Sequence, residues 1–115
     1  MKPPIKSKYH AKPMAVDGVL FPSKKEAARW GQLQLLERAG EIRNLQRQVV
    51  IKLSAGAVPI LSRTGRQMRL TVDFSYEDKR LGWAVVYEEA KGTRTRDYDV
   101  RLAVVQAMGY KVTET

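Results

Sequence analysis

Apolar and polar positions change period several times along the chain, and each change marks an element. The run "SKKEAARWGQLQLLERAG" (23–40) repeats apolar residues at helical spacing, with Ala27, Trp30, Leu33 and Leu36 forming one stripe. Ser23 suits the N-cap, Glu26 follows at capping-box spacing, and Gly40 suits the C′ position that ends a helix. "RLTVDFSYED" (69–78) alternates with period two, which sets Leu70, Val72, Phe74 and Tyr76 on one face and Thr71, Asp73 and Ser75 on the other. "WAVVYEEAK" (83–91) starts apolar on both faces, as a strand inside a sheet does. "QRQVVIKLS" (46–54) reads as a further strand and "GAVPILSRTGRQ" (56–67) as a loop or irregular hairpin. Asp17-Gly18, within "MAVDGVLF" (14–21), is the favoured two-residue turn of a β-hairpin. From about Asp97 to Met108, Val100, Ala103, Val104, Ala107 and Met108 predict a second helix, closed by Gly109. "YKVTE" (110–114) predicts a short last strand.

The expected fold is therefore α+β: a mixed sheet flanked by helices, preceded by a short β-hairpin. Residues 1–12 carry Lys2, Lys6, Lys8 and Lys12 and no acid, with Pro3 and Pro4 opposing a helix. They read as a basic arm ahead of a single domain over 13–115, with no internal repeat and no linker.

Composition narrows the chemistry. A chain of 115 residues suits one modest core. It has no cysteine and a single histidine, His10, so a bound metal would need oxygen ligands, which favours magnesium, manganese or calcium. No apolar run approaches the ~18 residues of a membrane span, and the basic N-terminus lacks the apolar core of a signal peptide. A cytoplasmic protein without membrane contact is expected. The formal charge of +9, from 21 basic against 12 acidic residues, points to nucleic acid as the partner.

"VVYEEAKG" (85–92) places two carboxylates and an ammonium at the end of a buried strand, where such residues are depleted. If 69–78 and 83–91 pair around "DKRLG" with Asp78 opposite Ala84, Asp73 falls opposite Glu89. Asp73, Glu89 and Lys91 then share a face. Like charges across a ladder repel, and a divalent cation between them would offset that cost. A slip of one residue would bring Glu88 to that face instead. The plain alternative is a solvated strand end with Lys91 in a surface ion pair. Glu26 has its own plain role in the capping box, yet it lies within about 40° of Trp30 around the helix, on the inward stripe.

These residues resemble a known family. "KYHAKPMAVDGVLFPSKKEAARWGQLQLLERAGEI" (8–42), "LQRQVVIKL" (45–53), "VDFSY" (72–76) and "VVYEEAKG" (85–92) are similar to small phage and prophage proteins of formerly unknown function (DUF1064-like), a family placed in the PD-(D/E)XK nuclease superfamily. The resemblance covers nearly the whole chain. It implies a restriction-endonuclease-like αβββαβ core and a Mg²⁺- or Mn²⁺-dependent DNA endonuclease. It implies Asp73 as the signature aspartate, Glu89-Ala90-Lys91 as the (D/E)-x-K element and Glu26 as the helical glutamate. Thr71-Val72 precede Asp73, so the literal proline of the motif is absent. On this resemblance Asp73, Glu89 and Glu26 hold the metal (Glu88 if the register differs), and Lys91 orients water or stabilises charge. Gln48 matches the family's glutamine and would position substrate or water. Lys24, Lys25, Arg94, Arg96 and Arg101 are candidate contacts to the DNA backbone.

So small a domain leaves little room for a sequence-reading module. That favours branched DNA, as for a Holliday-junction resolvase in phage recombination, or duplex DNA, with a homodimer pairing two sites in the bacterial host cytoplasm. Two other readings explain the charge: a non-catalytic DNA-binding or recombination-accessory protein, and a phage factor that inhibits a host nucleic-acid enzyme. The latter leaves the Asp73, Glu89 and Lys91 set unexplained.

Overall fold

The computed structural model describes residues 14–16, 19–21, 23–90 and 95–115. The basic arm, His10, the Asp17-Gly18 turn, Lys91 and Arg94 lie outside the described residues. The fold is α+β. A small antiparallel hairpin, β1 (Met14–Val16) and β2 (Val19–Phe21), leads into α1 (Lys24–Arg38). Next come β3 (Ile42–Lys52), a minor hairpin of β4 (Ser54–Ala55) and β5 (Val58–Pro59), then β6 (Arg69–Asp78) and β7 (Ala84–Glu89). Helix α2 (Arg96–Ala107) and β8 (Val112–Glu114) complete the chain. The main sheet has the order β3-β6-β7-β8. Its first three strands are antiparallel, and β8 returns parallel to β7 after α2, the crossover that a parallel pair requires. No helix among the described residues is long and apolar enough to cross a membrane.

Local signals explain both helices. Ser23 Oγ accepts a hydrogen bond from the Glu26 amide at 3.1 Å, and Gly40, at φ 77°, lets its own N–H and that of Glu41 reach the carbonyls of Glu37 and Leu36. Thr95 caps α2 by accepting from the Tyr98 amide at 3.0 Å. The face of α2 differs from the sequence expectation. Leu102 and Val105 are buried, with Tyr98 and Val104 beside them, while Val100 is 56% exposed and Ala103 and Ala107 face out. The larger side chains bury more apolar area than the alanine-rich stripe and so choose the face.

Of the two registers open to the β6–β7 hairpin, the structure has Asp78 opposite Ala84 and Phe74 opposite Glu88. Between them Gly82 and Trp83 both take left-handed backbone (φ 64° and 68°), and Arg43 lies 4.1 Å over the Trp83 ring.

Neighbouring residues Val86 and Tyr87 of β7 join different clusters. Val86 packs with Phe21, Ala27 and Leu33 of the α1 side, and Tyr87 packs near Leu102 and Val105 of the α2 side. Successive strand residues point to opposite faces, so the two helices cover opposite faces of the sheet.

One expectation is corrected here. Leu70, Val72, Phe74 and Tyr76 do not share a face: the first two pack on the α2 side, the last two on the α1 side. Strand β6 therefore changes facing at Asp73. Its neighbour does the same. On β3, Leu45 and Arg47 lie on the α1 side, Val49 and Ile51 on the α2 side. Gln48 between them has φ 51°, a left-handed conformation uncommon outside glycine. The pairs Arg47–Phe74 and Val49–Val72 flank Gln48 and Asp73, so both strands turn over at the same rung. A second irregularity between Arg43 and Gln46, with Asn44 at φ 55°, makes β3 start earlier than its alternation suggests.

Helix α1 is fixed to β7 by a buried charge pair. Arg29 Nε and Nη2 donate to the two oxygens of Glu88 at 2.7 and 2.8 Å, and the Tyr76 hydroxyl donates to the same carboxylate. Glu88 is 1% exposed. Burial and the Glu88 hydrogen bond push the Tyr76 hydroxyl well above its ordinary pKa, so it stays a donor. Arg29→Met would leave Glu88 buried without its cation. We expect a loss of about 3 kcal/mol in urea unfolding, the low end for a broken buried pair because the guanidinium keeps some water contact. Replacing both residues by apolar ones should recover part of that loss. A cost below about 1 kcal/mol for Arg29→Met would show that this pair does not seat the helix.

Candidate functional site

The rung where β3 and β6 turn over collects the buried acids. Asp73 is 4% exposed, and its Oδ2 accepts the Ala90 amide at 2.7 Å, tying β6 to the end of β7 just beyond the last paired rung. Glu26, 3% exposed in the first turn of α1, is turned inward so that its carboxyl lies against that of Asp73. Its other partners come from β3: Gln48 Nε2 at 3.4 Å and Arg47 Nη2 at 3.5 Å. The backbone of Glu26 thus serves the helix cap while its side chain serves this cluster.

Two carboxyls in contact away from water cannot both ionise cheaply. Burial, then the hydrogen bond and charge of Asp73, raise Glu26 to about 7 against the partial opposition of Arg47. Glu26 is therefore protonated over much of the weakly acid range and donates to Asp73.

Glu89 is 1% exposed and follows Asp73's rung by continuation of the β6–β7 register. Its neighbours Glu88 and Ala90 lie on the α1 side, so alternation turns Glu89 to the other face of β7. Among the described residues no three acidic, histidine or cysteine side chains close into a group that could hold a metal. The structure brings Glu26 and Asp73 together on the α1 side, whereas Glu89 points to the other face of β7, so the common face expected for Asp73 and Glu89 is not formed. Glu88 is committed to Arg29 and Tyr76.

The basic candidates divide. Lys24 and Lys25 are exposed on the turn of α1 that carries Glu26, and Arg96 is exposed at the start of α2. Arg101 is engaged within the fold: Nε donates to Asp97 at 2.9 Å and Nη1 to the Arg69 carbonyl at 2.7 Å. Sequence reasoning passed over Arg29 and Arg47, the cations that meet buried Glu88 and Glu26 among the described residues. Arg29 stands three residues after Glu26, and a cation on that inward side of α1 is the signal that could have found it.

Fold and site define a mixed α+β protein with a buried acid pair where two strands turn over between its two helices. Residues 6–113 match the family model described as "Protein of unknown function (DUF1064)", and the chain belongs to that family. No curated protein and no solved structure matches it significantly.

The raised Glu26 has a measurable consequence. The folded chain keeps a proton that the unfolded chain releases between about pH 4.5 and about 7, so stability falls as pH rises through that window. Glu26→Gln removes this dependence. At pH 8 it should be more stable than the parent by up to about 3 kcal/mol, and near pH 4.5 the two should converge. Parallel stability–pH curves for the two proteins, measured by urea unfolding, would contradict the assignment.

Proposed function

We propose that the chain is a metal-dependent DNA endonuclease of phage or prophage origin, acting on branched or duplex DNA. The observation that carries this reading is the buried Glu26–Asp73 pair, with Glu89 and Lys91 following on the adjoining chain segment. A protein gains little stability from two acids buried in contact, whereas a site for a hard cation needs them. The donor set fits Mg²⁺ or Mn²⁺: carboxylate oxygens, with no sulfur, at a site built from two acids. Magnesium is commonly held by one or two carboxylates, with substrate phosphate and water completing its shell. The element order helix, three antiparallel strands, helix, parallel strand agrees with the core that the resemblance to PD-(D/E)XK nucleases implies.

On this reading Asp73 and Glu26 hold the ion, and Glu89, facing the other side of β7, is not placed to join them. The chemistry supplied by the ion, when bound, is polarisation of the scissile phosphate and acidification of a water. Asp73 is aimed by the Ala90 amide, which also fixes the chain immediately before Lys91. Lys91 orients the attacking water or offsets charge on the phosphate. Lys24, Lys25 and Arg96 meet the flanking backbone, and Gln48 holds the Glu26 carboxyl in place.

The test uses the full chain with a labelled four-way junction and its component duplex, in Mg²⁺, Mn²⁺ or EDTA. Cutting is expected with either metal and not with EDTA. Asp73→Asn and Lys91→Ala should each lower the rate by about 10²-fold or more. Cutting of the junction alone would identify a resolvase. Binding without cutting in every metal would replace this reading with that of a DNA-binding accessory protein, and full activity in both variants would remove the site assignment.

A further inference from the structure

Among the described residues Arg29 and Arg47 reach buried glutamates, and they are held very differently. Arg29 spends its fork on Glu88 in two short bonds. Arg47 has one long contact, Nη2 to Glu26 Oε2 at 3.5 Å, at the outer limit of a hydrogen bond. Its Nε is buried and has no hydrogen-bond partner among the described residues. The guanidinium is nevertheless well placed, 4.2 Å over the Phe21 ring and 6.0 Å from that of Trp30. A guanidinium offers five donors in a plane. Here the plane is held by aromatic contact, Nη2 makes one long contact, Nε makes none among the described residues, and the side chain is 24% exposed.

A cation so immobilised but so weakly neutralised is poised for an anion from outside. Its position restricts which anion. Arg47 sits at the rung beside Gln48 and Asp73, against the Glu26 carboxyl, and Lys24 and Lys25 lie on the same turn of α1 as that carboxyl. An anion reaching Arg47 passes beside the proposed reaction centre under a positive rim. A phosphodiester fits both the charge and the planar, paired donors of the fork.

We propose that Arg47 is a substrate-binding residue that grips a backbone phosphate of the nucleic acid next to the Glu26–Asp73 pair. In the free protein Glu26 parks the guanidinium, and the incoming phosphate takes it over. This rests on the nuclease reading for its substrate, but it is measured without cleavage.

The experiment is binding of the full chain to a fluorescent duplex and to a four-way junction in EDTA, followed by anisotropy across a salt series. Arg47→Ala should weaken binding about tenfold and reduce the salt dependence by about one phosphate contact. Arg47→Lys, which keeps the charge and loses the fork, should retain the salt dependence and only part of the affinity. Glu26→Gln should tighten binding in the parent and not in the Arg47→Ala background, because only a released Arg47 can profit. Circular dichroism checks that each variant is folded; if Arg47→Ala is not, Arg47→Lys and the effect of Glu26→Gln in the parent decide. Unchanged affinity and salt slope in the folded variants, or no binding by the parent chain, overturns the proposal. Arg47-dependent binding with no cutting in any metal would leave Arg47 standing and remove the nuclease. Cutting with unchanged kcat/KM in Arg47→Ala would do the reverse.

Discussion

Two carboxyls, Glu26 of α1 and Asp73 of β6, are buried against each other, and much of the surrounding structure holds them there. Helix α1 cannot drift, because Arg29, three residues after Glu26, is clamped to Glu88 on β7. Asp73 cannot turn away, because the Ala90 amide holds its oxygen from the far end of the same strand. Strand β3 is bent at Gln48 so that Arg47 stays on the α1 side and can reach Glu26 while Val49 crosses to the α2 side. Each restraint costs something: a buried ion pair, a left-handed non-glycine residue, a protonated glutamate. Such costs persist where surrounding contacts over-determine them, and they concentrate at working sites.

The turnover of β3 and β6 also explains how a four-stranded sheet serves two helices. At one end of β6 Phe74 and Tyr76 fill the α1 side, at the other Leu70 and Val72 fill the α2 side. An evenly alternating strand would give one face all four side chains and leave the other helix with small and polar residues. The facing change divides the apolar side chains between two cores, and Asp73 and Gln48 occupy the rung that belongs to neither.

Sequence carried part of this. The period-two pattern and the "DKRLG" turn left two β6–β7 registers open, and the structure takes the one in which Asp78 caps the turn and Gly82 closes it. The register in turn separated Glu88 from Glu89. The α1 stripe was legible because Ala27, Trp30, Leu33 and Leu36 compete with no second apolar face. The α2 face was not, because two stripes compete there and only tertiary packing favours Tyr98, Leu102 and Val105 over Val100 and the alanines. The facing change was invisible for a different reason. It rests on Gln48 adopting φ 51°, and no residue type at that position announces a left-handed backbone as a glycine would. The candidate site was correspondingly half legible: its acids stand in recognisable spacing, while Arg29 and Arg47 look like ordinary surface cations until the helix and the bent strand are in place.

Burial also changes what the net charge means. Five of the 12 acids, Glu26, Asp73, Asp78, Glu88 and Glu89, are buried, while no lysine or arginine among the described residues is. The acids removed from the surface no longer screen the cations left on it, so a polyanion meets a more basic exterior than the formal +9 conveys. A protein that needed only solubility would gain nothing by hiding its acids at a desolvation cost. Hidden acids and exposed cations together suit a partner whose phosphates are drawn in by the rim and whose charge must be met at the centre by something the acids can hold. That division gives Arg47 its particular place, since it touches Glu26 of the interior acid pair and still reaches the accessible edge.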